Sequence, residues 1–255
     1  MKHNAFVHFE GKRVIVTGAS SGIGRAISVE LDNAGARVIL LGRKEETLNE
    51  TAGLLTSGNH HLIPLDLRDH SEIAPKVMEF VRKHGRIYGM CHAAGVVETR
   101  PLSSCKREGI QSMLDVNLIA GIEIARAVCR RDIMEDTGGS LLFISSIYSL
   151  VGMPGQIGYS ASKGAVTAAM RAMAMELARR NIRVNCISPG LVRTDMTEKA
   201  FSVLTREQVK ELKDSFPLGI GKPEDVARAA AFLLAPQNRW ITGVDLAVDG
   251  GYTAR

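Results

Sequence analysis

The chain has 255 residues, enough for one large α/β domain or for two small ones. Apolar residues make up 45% of it and aromatics only 5%, which fits an aliphatic α/β core and argues against a β-sandwich. Its formal charge of +5 arises from 32 Lys and Arg interleaved with 27 Asp and Glu. That surplus admits an anionic ligand but lacks the basic stripe of a nucleic-acid binder.

After a short lead-in over 1–11, KRVIVTG (12–18) reads as a β-branched strand ending in a glycine turn. The turn continues as TGASSGIG (17–24), with glycines at 18, 22 and 24. Between a strand and a helix, such glycines permit a tight turn and let a pyrophosphate approach the backbone at a helix N-terminus. Residues 22–34 carry helical spacing (Ile23, Ala26, Ile27, Leu31, Ala34), and Gly35 closes that helix. ARVILLG (36–42) is a second buried strand. An acid at its end would hold the adenosine ribose and repel a 2′-phosphate. Here Gly42, Arg43 and Lys44 follow instead. Arg43 can fork onto a phosphate and Gly42 leaves room for it, so NADP(H) is expected over NAD(H).

A polar-faced helix over 44–56 leads to a third strand, HHLIPLD (60–66). Asp66, at its end, is placed either to accept from an adenine amino group or to cap the next helix. Pro75 in that helix is tolerable only near the first turn. RIYGMCHAAG (86–95) is a fourth strand, followed by one long helix over about 106–133, the strand SLLFIS (140–145) and a helix over 158–180. IRVNCIS (182–188) runs into Pro189 and Gly190; residues 194–216 are more polar and read as helical and mobile. A helix from Pro223 and a strand GVDLAV (243–248) finish the chain.

Strands alternate with helices and are continuous apolar runs, the pattern of a parallel sheet covered on both faces. The expectation is a single α/β domain over 1–255, doubly wound and Rossmann-type, with about seven strands and a mobile substrate lid over 191–216. Cys91, Cys105, Cys129 and Cys186 form no Cys-x-x-Cys pair and read as reduced structural thiols. No signal-peptide pattern and no apolar run of about 18 residues is present, so a cytoplasmic protein is expected.

Chemistry concentrates in SSIYSLVGMPGQIGYSASK (145–163). Tyr159 and Lys163 are four apart on a helix and so share a face. The ammonium is expected to pull the phenol's pKa down toward working pH. Ser146, at the end of the strand LLFIS, could bring its hydroxyl beside the phenol. Two hydroxyls converging on one oxygen suit carbonyl reduction or alcohol oxidation.

Taken together, TGASSGIG, HAAG (92–95), Asn117, Ser146, YSASK (159–163) and SPG (188–190) resemble the short-chain dehydrogenase/reductases in order and spacing, over about residues 11–252. Within that family the stretches GQIGYSASK, RVNCISPGLVRTDMT, PLGIGKPEDVARAAAFL and ITGVDLAVDGGY resemble the 3-oxoacyl-(acyl-carrier-protein) reductase group of fatty acid biosynthesis. The resemblance implies Tyr159 as general acid, Lys163 as the cation that lowers its pKa and binds the nicotinamide ribose, and Ser146 as the holder of the substrate carbonyl. Asn117 would anchor a water in a proton relay to Lys163. The cofactor would lie along Gly18, Ser20, Ser21, Gly22, Ile23 and Gly24, with Arg43, Asp66 and Leu67 at the adenosine and Ala94 and Gly95 beside the ribose. Pro189, Gly190, Val192 and Thr194 would meet the carboxamide. His92 stands where the family usually has an Asn that braces the central strands; a hydrogen-bonded structural histidine is expected there.

The expected substrate wall comprises Val96, Val97, Ile147, Tyr148, Leu150, Met153 and Gln156, with Ser146 and Tyr159 at its base. It is mainly apolar and suits an acyl chain or a steroid better than a free sugar. An acyl carrier protein is a candidate partner; Arg179 and Arg180 either dock it or only complement the C-terminus of their helix. Family members commonly form two-fold dimers and tetramers, and the small, methionine-containing face of 165–177 offers an interface.

Overall fold

Continuous aliphatic runs become central strands because each of their faces meets a helical layer. The computed structural model describes residues 7–201 and 205–254. Seven strands, β1 (Arg13–Thr17), β2 (Arg37–Gly42), β3 (His61–Pro64), β4 (Gly89–His92), β5 (Gly139–Ile144), β6 (Ile182–Pro189) and β7 (Asp245–Val248), form one sheet in the order β3-β2-β1-β4-β5-β6-β7. All six pairings are parallel. The helices are α1 (Gly22–Asn33), α2 (Glu45–Ala52), α3 (His70–His84), α4 (Arg107–Leu114), α5 (Ala120–Val128), α6 (Ile157–Leu177), α7 (Asp195–Phe201), α8 (Arg206–Asp214) and α9 (Pro223–Leu234). This is the expected doubly wound α/β fold.

Alternate residues of each strand enter opposite cores. Ile15, Ile39, Met90, Leu141 and Phe143 pack against Ile73 of α3, Ile124 of α5 and Met170 of α6. Val14, Val16, Val38, Cys91 and Leu142 pack on the other side against Ile27 and Leu31 of α1 and Ala230 of α9. Strand order reverses between β1 and β4, so their carboxyl ends open a crevice at the switch point, where such sheets bind ligands. All four cysteines are free, and no helix among the described residues is long and apolar enough to cross a membrane.

Two expectations are corrected, and a third is met in part. The long helix is interrupted: α4 widens into a π-helical turn over Asp115–Ile119 before α5 resumes, and α5 ends at Val128. Pro75 is the sixth residue of α3, past its first turn, because the helix begins earlier, at His70. The polar stretch 194–216 divides into α7 and α8; the lid expected there lies partly outside the described residues, at 202–204.

Arg183, read as an ordinary strand residue, closes the end of α9. Its side chain is 7% exposed and donates to the carbonyls of Leu233 (2.6 Å), Leu234 (3.1 Å), Ala235 (3.0 Å) and Ile241 (3.3 Å). Helix C-termini leave such carbonyls without intrahelical partners. Arg183→Met keeps an unbranched apolar stem and removes all four bonds, so urea unfolding should show a loss on the order of 3 kcal/mol. A loss below about 1 kcal/mol would mean that water replaces the guanidinium.

Candidate active site

The turn after β1 sets one wall. Gly18 has φ +63, and a Cβ on it would stand 2.8 Å from Ala94 Cα. A Cβ on Gly24 would reach within 2.2 Å of the Gly18 carbonyl oxygen, so α1 seats against the turn only with glycine there. Ser21 starts α1 with no side-chain cap, which leaves first-turn N–H groups for an anion. In front of this turn lies a cavity of about 310 Å³. Gly18, Ser20, Ser21, Gly22, Ile23, Gly24, Arg43, Asp66, Leu67, Ala94, Gly95 and Thr194 all line it. Glycine cradle, open helix N-terminus and elongated lining fit a dinucleotide. Pro189 and Gly190 end β6 outside that lining, and Val192 is buried behind it.

At the adenosine end, Arg43 is exposed and lines the cavity. Asp66 does not cap α3, whose N-cap is Asp69. Its carboxylate instead accepts from the Arg68 backbone N–H (3.0 Å) and from the Arg68 guanidinium (2.5 Å at the closest). That pairing holds the acid down at about 2, with Arg43 adding to the effect.

The candidate catalytic side chains come together where β5 ends and α6 begins. Ser146 is 7% exposed and starts a single tight turn over Ile147–Ser149, its hydroxyl accepting the Tyr148 N–H at 3.2 Å. The same hydroxyl bonds the Tyr159 phenol and raises its acidity. Tyr148 stands edge-on to Tyr159, ring centroids 6.4 Å apart. Lys163 is buried; its ammonium donates to the Ile144 carbonyl at 2.8 Å and lies 5.7 Å from the Tyr159 ring centre. Ser145 fixes the backbone of Lys163 by donating to its carbonyl at 3.1 Å.

The expected low phenol pKa is not what this geometry yields. Tyr159 is half-buried in surface terms but densely surrounded, and burial pushes it up to about 12 against the pull of Ser146. Lys163 is brought down to about 8, again by burial. Its ammonium is aimed at Ile144, and spacing along a helix does not determine where a long side chain points.

Asn117 lies in the π-helical turn and is fully buried. Its Oδ1 accepts the Val96 N–H (2.8 Å), and its Nδ2 donates to the Val96 carbonyl (3.0 Å) and to Ser162 Oγ (2.9 Å). Ser162 in turn donates to the Tyr159 carbonyl at 2.8 Å. Gly95 separates Asn117 from Lys163: a Cβ there would lie 3.3 Å from Asn117 Oδ1 and 3.4 Å from Lys163 Nζ. π-Turns inside helices gather at functional sites. Ser162 and Ser145 went unremarked in the sequence, although both lie within the stretch singled out, because only contacts from other elements reveal their role.

His92 is 1% exposed. Its Nε2 lies 3.0 Å from the Val116 carbonyl, and its Nδ1 lies 3.0 Å from Thr17 Oγ1. A carbonyl can only accept, so Nε2 carries the proton and Nδ1 accepts from the Thr17 hydroxyl. Thr17 Oγ1 in turn accepts the Ala94 N–H at 3.1 Å. The expected hydrogen-bonded structural histidine is what this geometry shows. Burial, then the Lys163 charge, holds the imidazole down to about 4.

Of the substrate wall, Tyr148, Val96, Val97 and Leu150 keep open surface, whereas Ile147 is buried. Gln156 donates to Thr99 Oγ1 at 2.8 Å. Arg179 and Arg180 do not flank the pocket. They sit in the turn after α6, beside the start of β6, some 30 Å from Tyr159 at ~1.5 Å of rise per residue. A helix leaving the carboxyl end of one strand must finish at the amino edge of the next, so these two residues are not at the pocket mouth, where they were expected.

The profile of a protein family described as enoyl-(acyl carrier protein) reductase matches residues 18–253. A 3-oxoacyl-(acyl-carrier-protein) reductase of Thermotoga maritima is 34% identical over 250 residues, 96% of this chain and 99% of its own. A glucose 1-dehydrogenase of Gluconobacter oxydans is 33% identical over 249 residues, 96% of this chain and 93% of its own. The structure of a short-chain type dehydrogenase/reductase from Mycobacterium ulcerans superposes with a TM-score of 0.89 at 32% identity, covering 98% of this chain and 92% of that one.

His92 also ties stability to pH. Its folded pKa of about 4 lies below the ordinary 6.5, so the unfolded chain binds the proton more readily between those values. The stability that depends on neutral His92 is therefore complete above pH 6.5 and drains away as pH falls toward 4. The unfolding free energy of the wild type minus that of His92→Asn should rise by up to about 3 kcal/mol across this window and stay flat from pH 7 to 9. A difference independent of pH would contradict the assignment.

Proposed function

The chain belongs to the short-chain dehydrogenase/reductase family, and we propose that it is an NADP(H)-dependent reductase converting the ketone of a 3-oxoacyl thioester to a secondary alcohol. The observation that carries this reading is the meeting of Ser146, Tyr159 and Lys163 behind Gly95, which lines the same cavity as Arg43 although the three themselves do not. Gly18, Ser20, Ser21, Gly22, Ile23, Gly24 and Arg43 would hold the dinucleotide, which when bound would supply the hydride for the carbonyl carbon. Ser146, whose oxygen accepts from the Tyr148 N–H, keeps its own proton to donate to the carbonyl oxygen. Tyr159 delivers the proton that completes the alcohol, and Lys163 stabilises the phenolate left behind. Asn117 and Ser162 hold the backbone of the Tyr159 turn while this happens.

The 2′-phosphate reading rests on the end of β2, where Gly42 and Arg43 stand in place of an acid. The exposed apolar surface of Val96, Val97 and Leu150 near Tyr148 supports an acyl chain. An acyl carrier would meet Arg193 and Lys213, which line a hollow of about 550 Å³ beside Phe216, and Phe216 stacks on Tyr252 at 4.5 Å. A second reading, reduction of another ketone or oxidation of another alcohol, is favoured by the equal likeness to a glucose 1-dehydrogenase. We further propose a cytoplasmic dimer or tetramer, its interfaces drawing on exposed Met175 of α6 and Leu246 of β7. A non-catalytic nucleotide-binding role would not call for an intact Ser, Tyr and Lys set.

Initial rates with acetoacetyl-CoA and each dinucleotide test the proposal. NADPH should be preferred to NADH by roughly tenfold or more in kcat/KM, and Arg43→Ala should lose most of that preference with the charge-assisted phosphate contact. Equal kcat/KM for the two cofactors in the wild type would reject the NADP(H) reading. Absence of turnover on any 3-oxoacyl thioester would transfer the assignment to another ketone or alcohol.

A further inference from the structure

His92 bonds to two elements that serve different halves of the site. Through Nδ1 it holds Thr17, which holds the Ala94 N–H, and Ala94 packs against Gly18 of the dinucleotide turn. Through Nε2 it holds the Val116 carbonyl, one residue before Asn117, in the π-helical turn. From Asn117 the contacts continue through Ser162 to the backbone of Tyr159. The ring has space because residue 121 is glycine. A Cβ there would stand 2.8 Å from His92 Cδ2 and 3.0 Å from Phe143 Cε1. The large side chain on β4 and the missing one on α5 are thus matched in size.

We propose that His92 is a positioning residue that sets cofactor affinity through one ring nitrogen and turnover through the other. This rests on the reductase reading above. The two arms can be separated chemically. Asparagine places a polar atom near the position of Nδ1 and none near Nε2; glutamine reaches the position of Nε2 and leaves that of Nδ1 empty. His92→Gln therefore keeps the Val116 bond and frees Thr17, while His92→Asn keeps Thr17 and frees Val116.

The test measures the Kd for NADPH by fluorescence, kcat with acetoacetyl-CoA and the melting temperature, for the wild type, both variants and His92→Leu. His92→Gln should raise Kd roughly fivefold to tenfold with kcat within about twofold of the wild type. His92→Asn should lower kcat by a similar factor with Kd nearly unchanged, and His92→Leu should do both. A merely structural role would lower the melting temperature of all three and leave Kd and kcat per binding site alike, and that result would overturn the inference. If His92→Leu does not fold, the Asn and Gln variants still decide. A wild type that binds no NADPH would overturn the cofactor reading and this inference together. A wild type that binds NADPH but does not reduce acetoacetyl-CoA would overturn the thioester reading alone, and the inference would then stand or fall on whether Gln weakens NADPH binding more than Asn.

Discussion

A buried ammonium with a neutral partner is the constraint on which the site depends. Lys163 is 3% exposed, and its donated bond goes to the Ile144 carbonyl at the end of β5. Taking a cation out of water costs several kcal/mol unless bonds and nearby negative charge offset it. Here burial brings the lysine down only to about 8, so it remains largely charged at neutral pH. The neighbouring phenol is pushed up to about 12 and stays neutral. The resting site therefore holds a positive charge in search of a negative one. In the proposed reaction, when Tyr159 gave up its proton the phenolate would form in a low-dielectric setting beside that cation. The interaction is stronger in the transition state than in the resting site, which is the condition for accelerating a reaction. In the proposed reaction Lys163 would stabilise the phenolate as its charge develops.

The remaining architecture brings other groups to that ammonium. Parallel strands place the ends of β1, β4, β5 and β6 side by side, so that Thr17, His92, Ile144 and Ser188 come from distant parts of the chain to one edge. Ser145 fixes the lysine backbone, and Gly95 leaves space in front of Nζ. The π-helical turn lets α4 and α5 deliver Asn117 into the same interior, where each of its polar atoms finds a partner.

Much of this was legible in the sequence for physical reasons. Continuous aliphatic runs have few alternatives to a covered parallel strand, and a glycine-rich stretch between strand and helix announces a close backbone approach. The Tyr159 and Lys163 spacing was legible because a helix has a fixed period. Most of the misses share one cause, since each depends on a neighbour far away in the chain. Nothing in DVNLI separates a π-helical turn from an α-helical one; the turn is seen only where α4 and the turn itself pack against α6 and α5 packs against α3. Arg183 looks like a strand residue until α9 ends above it. The match of His92 to Gly121 spans 29 residues and two elements. Arg179 and Arg180 are different, because the alternation of strand and helix already placed them at the far edge of the sheet.

The central claim is that Tyr159 supplies the proton, and a single-turnover experiment tests it most directly. Enzyme loaded with NADPH is mixed with acetoacetyl-CoA, and the loss of NADPH absorbance is followed in the wild type and in Tyr159→Phe. The ring is retained, so NADPH affinity should be unchanged, while the rate of absorbance loss should fall by roughly a hundredfold or more. A variant that oxidises NADPH at close to the wild-type rate would show that the proton comes from another group.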